Sequence, residues 1–270
     1  MSPGERRIDL HAHTTHSDGT MTPTELVDHA HEVGLAALAV TDHDTTTALA
    51  EATARADELG VELIPGVEVS TSIPTGIVHM LGYGFDPSSE SLQALLARVR
   101  SSREERNRGI FERLASLNMP LEPDDVLRHV TGCIVARPHF AQAMVDRGYV
   151  DDVRQAFRHW LYDGGPAHAQ VEMPAPEEAI EAIAAAGGVS ALAHPKQLKL
   201  GGKGGYRPTL RRFREAGLDG IEVQHPTHDK GWRRQFRGLA EELDLVATGG
   251  SDFHGASKPY IQLGTGDGSI

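Results

Sequence analysis

Asp9-Leu-His-Ala-His-Thr-Thr-His-Ser-Asp-Gly19 is the stretch on which the reading of this chain turns. In an extended strand alternate side chains share a face, so His11 and His13 project together while Leu10 and Ala12 point the other way. The strand presents a claw of two imidazoles. His16 and Asp18 follow in a turn closed by Gly19, adding an imidazole and a hard carboxylate at the same strand end. A His-X-His strand alone carries no mechanism and is read as a polar strand end. Repetition of the pattern downstream changes that reading.

Working outward, Thr22-Pro-Thr-Glu25 has the form of a helix start, with a Thr cap, Pro at the first position and Glu placed for a capping box. The helix is expected to stop at Gly34. Leu35 to Val40 is then an apolar run suited to a strand covered on both faces, and it delivers Thr41-Asp-His-Asp44 at its end. A second helix, from about Thr46 to Leu59, precedes a strand at Val61 to Ile64 and then Pro65-Gly-Val-Glu-Val69. Glu68 lies in an apolar alternation where an unpaired carboxylate is costly, so it is a metal bridge or half of a buried salt bridge. His79 holds an inward phase within Ile77 to Tyr83.

From about residue 86 to residue 167 the pattern changes to helices alone, which predicts a helical subdomain inserted into a domain made of residues 1–85 and 168–270. The charged stretch from Val99 to Arg108 reads as a solvated helix face, with nucleic-acid contact as the rival. Arg137-Pro-His139 opens a helix and places an arginine where a phosphate can meet it. The strand-helix rhythm resumes at Pro176. Strand Val189 to Ala193 ends in His194-Pro195 with Lys196 beyond; Gly201 to Gly205 has no strand before it and reads as a flexible loop. Strand Gly220 to Gln224 brings Glu222, His225 and His228, and the last strand ends in Gly249-Gly-Ser-Asp-Phe-His254.

Seven apolar strands ending in His, Asp or Glu, most followed by a helix, imply an α/β fold closed into a parallel barrel with the ligands at one rim. The pooled inventory is His11, His13, Asp18, His43, Glu68, His79, His194, Asp252 and His254, enough for two or three ions. Nitrogen and oxygen donors without thiolate favour manganese, iron or zinc. Cys133 is the only cysteine, which excludes a disulfide framework and a cysteine zinc site. A length of 270 residues, 39% of them hydrophobic, supports one core or a core plus a small insertion. No apolar run approaches membrane-spanning length, and a cytoplasmic protein is expected. The net charge of -12 argues against a protein that coats double-stranded nucleic acid, though not against an anionic substrate held by ions and a few arginines.

These motifs, Asp9-Leu-His-Ala-His13 with Ser17-Asp-Gly19, Thr41-Asp-His-Asp44, Pro65-Gly-Val-Glu68, His79, Ala193-His-Pro195 and Gly250-Ser-Asp-Phe-His254, resemble those of the PHP family, the polymerase and histidinol phosphatase phosphoesterases. The resemblance implies a distorted (β/α)7 TIM-like barrel holding three divalent ions, with manganese favoured. Carried over by motif, His11, His13, Glu68 and Asp252 would hold one ion, Glu68, His79 and His194 a second, and Asp18, His43 and His254 the third. His16 falls at a variable position of the motif and is not counted. The insertion and Arg137-Pro-His139 are similar to members that hydrolyse the 3'-phosphate of nucleoside 3',5'-bisphosphates, some of which also shorten RNA from its 5' end. Arg137, His139, Lys196 and His228 are then the expected substrate contacts, and Glu68, Asp252 and His228 the expected catalytic residues.

The expected function is therefore a metal-dependent phosphoesterase acting on a small phosphorylated nucleotide. Rivals are a 5' to 3' exonuclease on short oligonucleotides, short RNA among them, a histidinol-phosphate phosphatase and a non-catalytic metal or nucleotide sensor. Whether Asp44, Glu222 and His225 support the ligands or are only polar strand ends stays open at this stage. So does the pocket's last wall, because only sixteen residues follow His254 and they show no closing helix.

Overall fold

The computed structural model describes residues 7–130, 132–162, 164–200 and 202–270. Strand β1 (Arg7–Ala12) leads into the loop of the first motif and then to α1 (Pro23–Glu32), whose start follows from its sequence. Thr22 Oγ1 accepts the Glu25 N–H at 3.2 Å and the Glu25 carboxylate accepts the Thr22 N–H at 2.8 Å, satisfying donors that a helix leaves open. β2 (Leu35–Val40) and α2 (Leu49–Leu59) follow. β3 (Glu62–Ile73) runs unbroken through Pro65 and Glu68, so the two expected segments are one strand.

The chain reverses at Pro74-Thr75 into β4 (Gly76–Tyr83). Helices α3 (Glu90–Ser116), α4 (Pro123–Leu127), α5 (Arg137–Asp146) and α6 (Val153–Ala156) come next, with a π-helical turn at Phe157–Leu161. The remaining elements are α7 (Pro176–Ala185), β5 (Val189–Leu192), α8 (Gly202–Glu215), β6 (Gly220–Gln224), α9 (Lys230–Leu243) and β7 (Val246–Gly249). The glycine-rich segment expected as a loop is thus mostly the first turn of α8; Gly201 lies outside the described residues.

The seven strands form one sheet in sequence order. β1, β2 and β3 are parallel, as are β5, β6 and β7, but β4 is antiparallel to both neighbours. This corrects the expectation of a wholly parallel sheet. A two-residue turn cannot carry a crossover, so β4 has to run back along β3. Its early residue His79, opposite Ser70, therefore lies at the end of the sheet where the parallel strands finish.

The sheet is strongly curled. The Tyr83 hydroxyl on β4 donates to the Leu10 carbonyl on β1 at 2.8 Å, although a flat sheet would hold strands three places apart at roughly 14 Å. Past β7, Phe253 forms a parallel bridge with Ala12, and its carbonyl accepts the His13 N–H at 2.9 Å. A main core lies between sheet and helices, with Leu26, Leu38, Val67, Ile183, Leu192 and Phe236 fully or almost fully buried. A second core, of Ile110, Leu114, Phe140, Met144 and Leu161, belongs to the helical stretch. α3 joins the two, contributing Leu92 and Leu96 to the first and Ile110 and Leu114 to the second.

The charged stretch of α3 is solvated on one side, where Arg100, Glu104, Glu105 and Arg108 are exposed, but it also makes contacts with the rest of the chain. Arg98 pairs with Glu178, Arg100 Nη1 donates to the Asp44 carbonyl at 2.7 Å, and Arg103 pairs with the Asp44 carboxylate. Among the described residues no helix is long and apolar enough to cross a membrane.

Buried Asp9 fastens the two sheet edges to the C-terminal segment. Its carboxylate accepts the Ser251 N–H at 2.9 Å, the Ser251 hydroxyl at 2.5 Å and the Gly264 N–H at 2.7 Å. Removing it strands several donors, each costly when unpaired in the interior. Asp9→Ala should lower the unfolding free energy of the metal-free protein by about 3 kcal/mol, measured by urea denaturation; an unchanged midpoint would show that water replaces these bonds.

Candidate metal centre

Glu68 stands at the middle of the site, fully buried on β3. Its Oε2 lies 3.2 Å from each of His11 Nε2, His13 Nε2 and His43 Nδ1, and its Oε1 lies 2.8 Å from His79 Nδ1 and His194 Nε2. Burial alone would raise the Glu68 pKa, but the charges of His43, His79 and His11 hold it well below the ordinary carboxylate range.

Two further carboxylates complete the cluster. Asp252 Oδ1 is 3.6 Å from His11 Nε2 and 3.4 Å from His13 Nε2, and Asp18 Oδ1 is 3.2 Å from His254 Nε2. All nine ligands named from the sequence are gathered. They fall into four overlapping sets whose donor atoms lie within 4.8 Å of one another: His13, Asp18, His43 and His254; His11, His13 and Asp252; His11, Glu68 and His194; His43, Glu68 and His79.

His11 Nε2 and His194 Nε2 hydrogen-bond Glu68, at 3.2 and 2.8 Å, but the other three nitrogens facing it fit a bound cation better than the carboxylate. His13 Nε2, His43 Nδ1 and His79 Nδ1 are buried and close to Glu68, yet none makes an aligned hydrogen bond to it. Nitrogens converging on a carboxylate without bonding to it are the arrangement a shared ion requires. Burial lowers the His43 pKa to about 3, so that ring is neutral and free to ligate. Burial also opposes charge on His13, but Asp252 and Glu68 outweigh it and raise the pKa to about 9. His16, by contrast, bonds Thr47 Oγ1 at 2.7 Å and stays outside the cluster.

The residues left open by the sequence hold the candidate ligands in place. Glu222 Oε1 lies 2.9 Å from His11 Nδ1 and its other oxygen accepts the His194 N–H at 2.7 Å, which directs His11 Nε2 toward Glu68. Asp44 accepts the Ser70 N–H at 2.7 Å and pairs with Arg103. Asp42, which the sequence reading did not single out, accepts from Thr14 N, Thr14 Oγ1 and Ser17 Oγ and so shapes the loop carrying His13 and Asp18. His225 Nε2 reaches to 3.5 Å from Asp252 Oδ2. Asp44, His194 and Asp252 all hold positive φ, which non-glycine residues adopt where the surroundings force it. Gly250 is required by close approach, since a Cβ there would stand 2.3 Å from the His11 Cβ.

The expected substrate contacts surround this cluster less tightly. His228 is buried, its Nδ1–H donates to the Val223 carbonyl at 3.0 Å, and its Nε2 has no partner. Lys196 Nζ donates to the Thr227 carbonyl at 2.6 Å, beside His228. His139 Nδ1 accepts the Ala136 N–H at 3.0 Å at the start of α5 and feels the charge of Asp18. Arg137 Nη1 donates to the Leu161 carbonyl at 3.2 Å.

Stripping divalent ions should lower the thermal unfolding midpoint, because ligands that bind only the folded state stabilise it by about 3 kcal/mol at a hundredfold excess over Kd. Scanning calorimetry with and without resupplied manganese measures this. An identical midpoint in both would mean that no ion binds.

Residues 9–172 match the PHP domain model. The chain is 38% identical over 262 residues to a 3',5'-nucleoside bisphosphate phosphatase of Chromobacterium violaceum, covering 95% of this chain and 90% of that protein. It is 37% identical over 259 residues to a 5'-3' exoribonuclease of Haemophilus influenzae, covering 96% and 93%. A solved structure from Chromobacterium violaceum, named an amidohydrolase and holding sulfate, superimposes with a TM-score of 0.82 at 37% identity, covering 92% of this chain and 87% of that one. By its matched motifs and by relatives that span nearly its whole length, the chain belongs to the PHP domain family of metal-dependent phosphoester hydrolases.

Proposed function

We propose that this chain removes the 3'-phosphate from nucleoside 3',5'-bisphosphates, using three divalent ions, manganese favoured, held by the nine gathered residues. The sheet closes as a distorted seven-stranded TIM-like barrel, and residues 86–167 form an inserted subdomain that supplies arginines to the site. Bound ions would supply the Lewis acidity that activates water and neutralises charge at phosphorus.

The observation that carries the reading is an arginine wall beside the carboxylate-imidazole cluster. Arg103 is tied to Asp44, one residue from His43. Arg106, one helical turn along, donates among the described residues to Asn107 Oδ1 at 2.9 Å and to the Val135 carbonyl at 3.4 Å, and to no carboxylate. Burial, reinforced by the charges of Arg103 and Arg137, pushes its pKa down to about 9. A guanidinium held among other guanidiniums is under pressure to take an anion, and a second phosphate relieves it. Arg106 and Arg137 therefore bind the 5'-phosphate while the ester to be cleaved lies at Glu68 and Asp252.

His228 contributes through Nε2. Burial pushes its pKa down to about 4, so at pH 7 it is neutral and accepts a hydrogen bond from substrate rather than giving up a proton. Lys196, anchored beside it, adds a cation to the same wall.

Phosphate release from adenosine 3',5'-bisphosphate in manganese tests the reading. Glu68→Ala and His43→Ala should abolish it; full activity in both would overturn the assignment. Arg106→Ala should raise KM for the bisphosphate by about 10- to 100-fold, the loss of a charge-assisted bond, with little effect on a nucleoside 3'-monophosphate. Equal effects on both substrates would remove Arg106 from the 5' site. The same arginine wall also suits the 5' end of RNA, as the likeness to an exoribonuclease suggests. Stepwise shortening of a 5'-phosphorylated oligoribonucleotide, lost in Arg106→Ala, would establish that activity.

A further inference from the structure

The segment after His254 returns a cation to the centre. A short 3-10 turn, Gly255–Ser257, leads to Lys258, whose Nζ lies 2.7 Å from Asp252 Oδ2. The two oxygens of Asp252 face different company. Oδ1 looks toward His11 Nε2, His13 Nε2 and His254 Nδ1 at 3.6, 3.4 and 3.5 Å, whereas Oδ2 meets Lys258 and, at 3.5 Å, His225 Nε2. Its backbone is fixed as well, at φ +54.

We propose that Lys258 is a positioning residue that engages Oδ2, so that Asp252 presents Oδ1 alone to an ion shared with His11 and His13. The inference rests on the metal reading of the site. Without such a partner a carboxylate can rotate and bind through either oxygen or both. An ammonium beside a cation site also repels the cation. Its side chain is 40% exposed, which screens that repulsion, while losing the hydrogen-bonding partner of a ligand typically costs 10- to 100-fold in metal affinity. Positioning outweighs repulsion, and that decides the sign.

The test is calorimetric titration of the metal-stripped full chain with manganese, counting ions per chain by elemental analysis. Lys258→Met should lose about tenfold or more in affinity for at least one ion, and Lys258→Arg, which keeps charge and donors, should retain most of it. Unfolding of the metal-free variants checks that each is folded; if the Met variant is not, Lys258→Gln must show the same loss. Binding by a folded Met or Gln variant as tight as that of the unaltered chain, or tighter, would overturn the inference and leave the metal reading standing. An unaltered chain that binds no manganese would overturn both.

Discussion

One carboxylate buried among five imidazoles is the constraint on which the rest depends. Removing Glu68 from water costs several kcal/mol, and only charge or ligation at close range offsets that. Its oxygens point in different directions, so the offsetting groups cannot come from one strand. They come from His11 and His13 at the end of β1, His43 after β2, His79 on β4 and His194 after β5. For these to meet at one point the sheet has to curl, and Tyr83 reaching Leu10 is the direct trace of that curl. Site and fold are consequences of a single requirement.

Convergence alone would leave the rings free to turn. A second layer of ionised groups removes that freedom, with each carboxylate acting on more than one part of the site. Glu222 fixes the His11 ring and the His194 backbone together. Asp44 links the strand carrying Glu68, through Ser70, to α3, through Arg103. Burial would push both acids toward neutrality; the charge of His11 on Glu222 and of Arg103 on Asp44 lowers their pKa values instead. The helical stretch is thereby coupled to the candidate ligands. Its segment at Cys133 and Ile134 also donates two N–H groups to the Ser17 carbonyl, next to Asp18.

What could be read from the sequence was local. Most of the nine candidate ligands announce themselves because they lie in short motifs at or just past the end of an apolar strand, Glu68 and His79 being polar positions inside β3 and β4, and the α1 cap is a four-residue pattern. The direction of β4 was available in principle from the two-residue turn at Pro74-Thr75, too short for a crossover, but His79 inside an apolar run gave no such warning. The supporting layer was beyond reach for a different reason. Glu222 and His11 lie 211 positions apart, and nothing in either neighbourhood marks the other. Arg100 and Arg103 looked like part of a solvated charge run because their partner, Asp44, lies 56 and 59 positions earlier.

The same distinction explains how a chain of net charge -12 could take the polyanionic substrate proposed for it. Bulk charge acts through screened water and falls off over about 10 Å, so at the site only nearby groups count. There most cations are already engaged: Arg103 with Asp44, Lys258 with Asp252, Lys196 with a backbone carbonyl. Among the described residues Arg106 hydrogen-bonds only neutral oxygens, with other arginines near it and the Asp44 carboxylate acting on it without a direct bond. An incoming phosphate gains most where a desolvated positive charge has no carboxylate to give up, because elsewhere it would have to displace one. The proposed specificity for a second phosphate would therefore depend less on how many arginines line the site than on which of them is left without a carboxylate bonded to it.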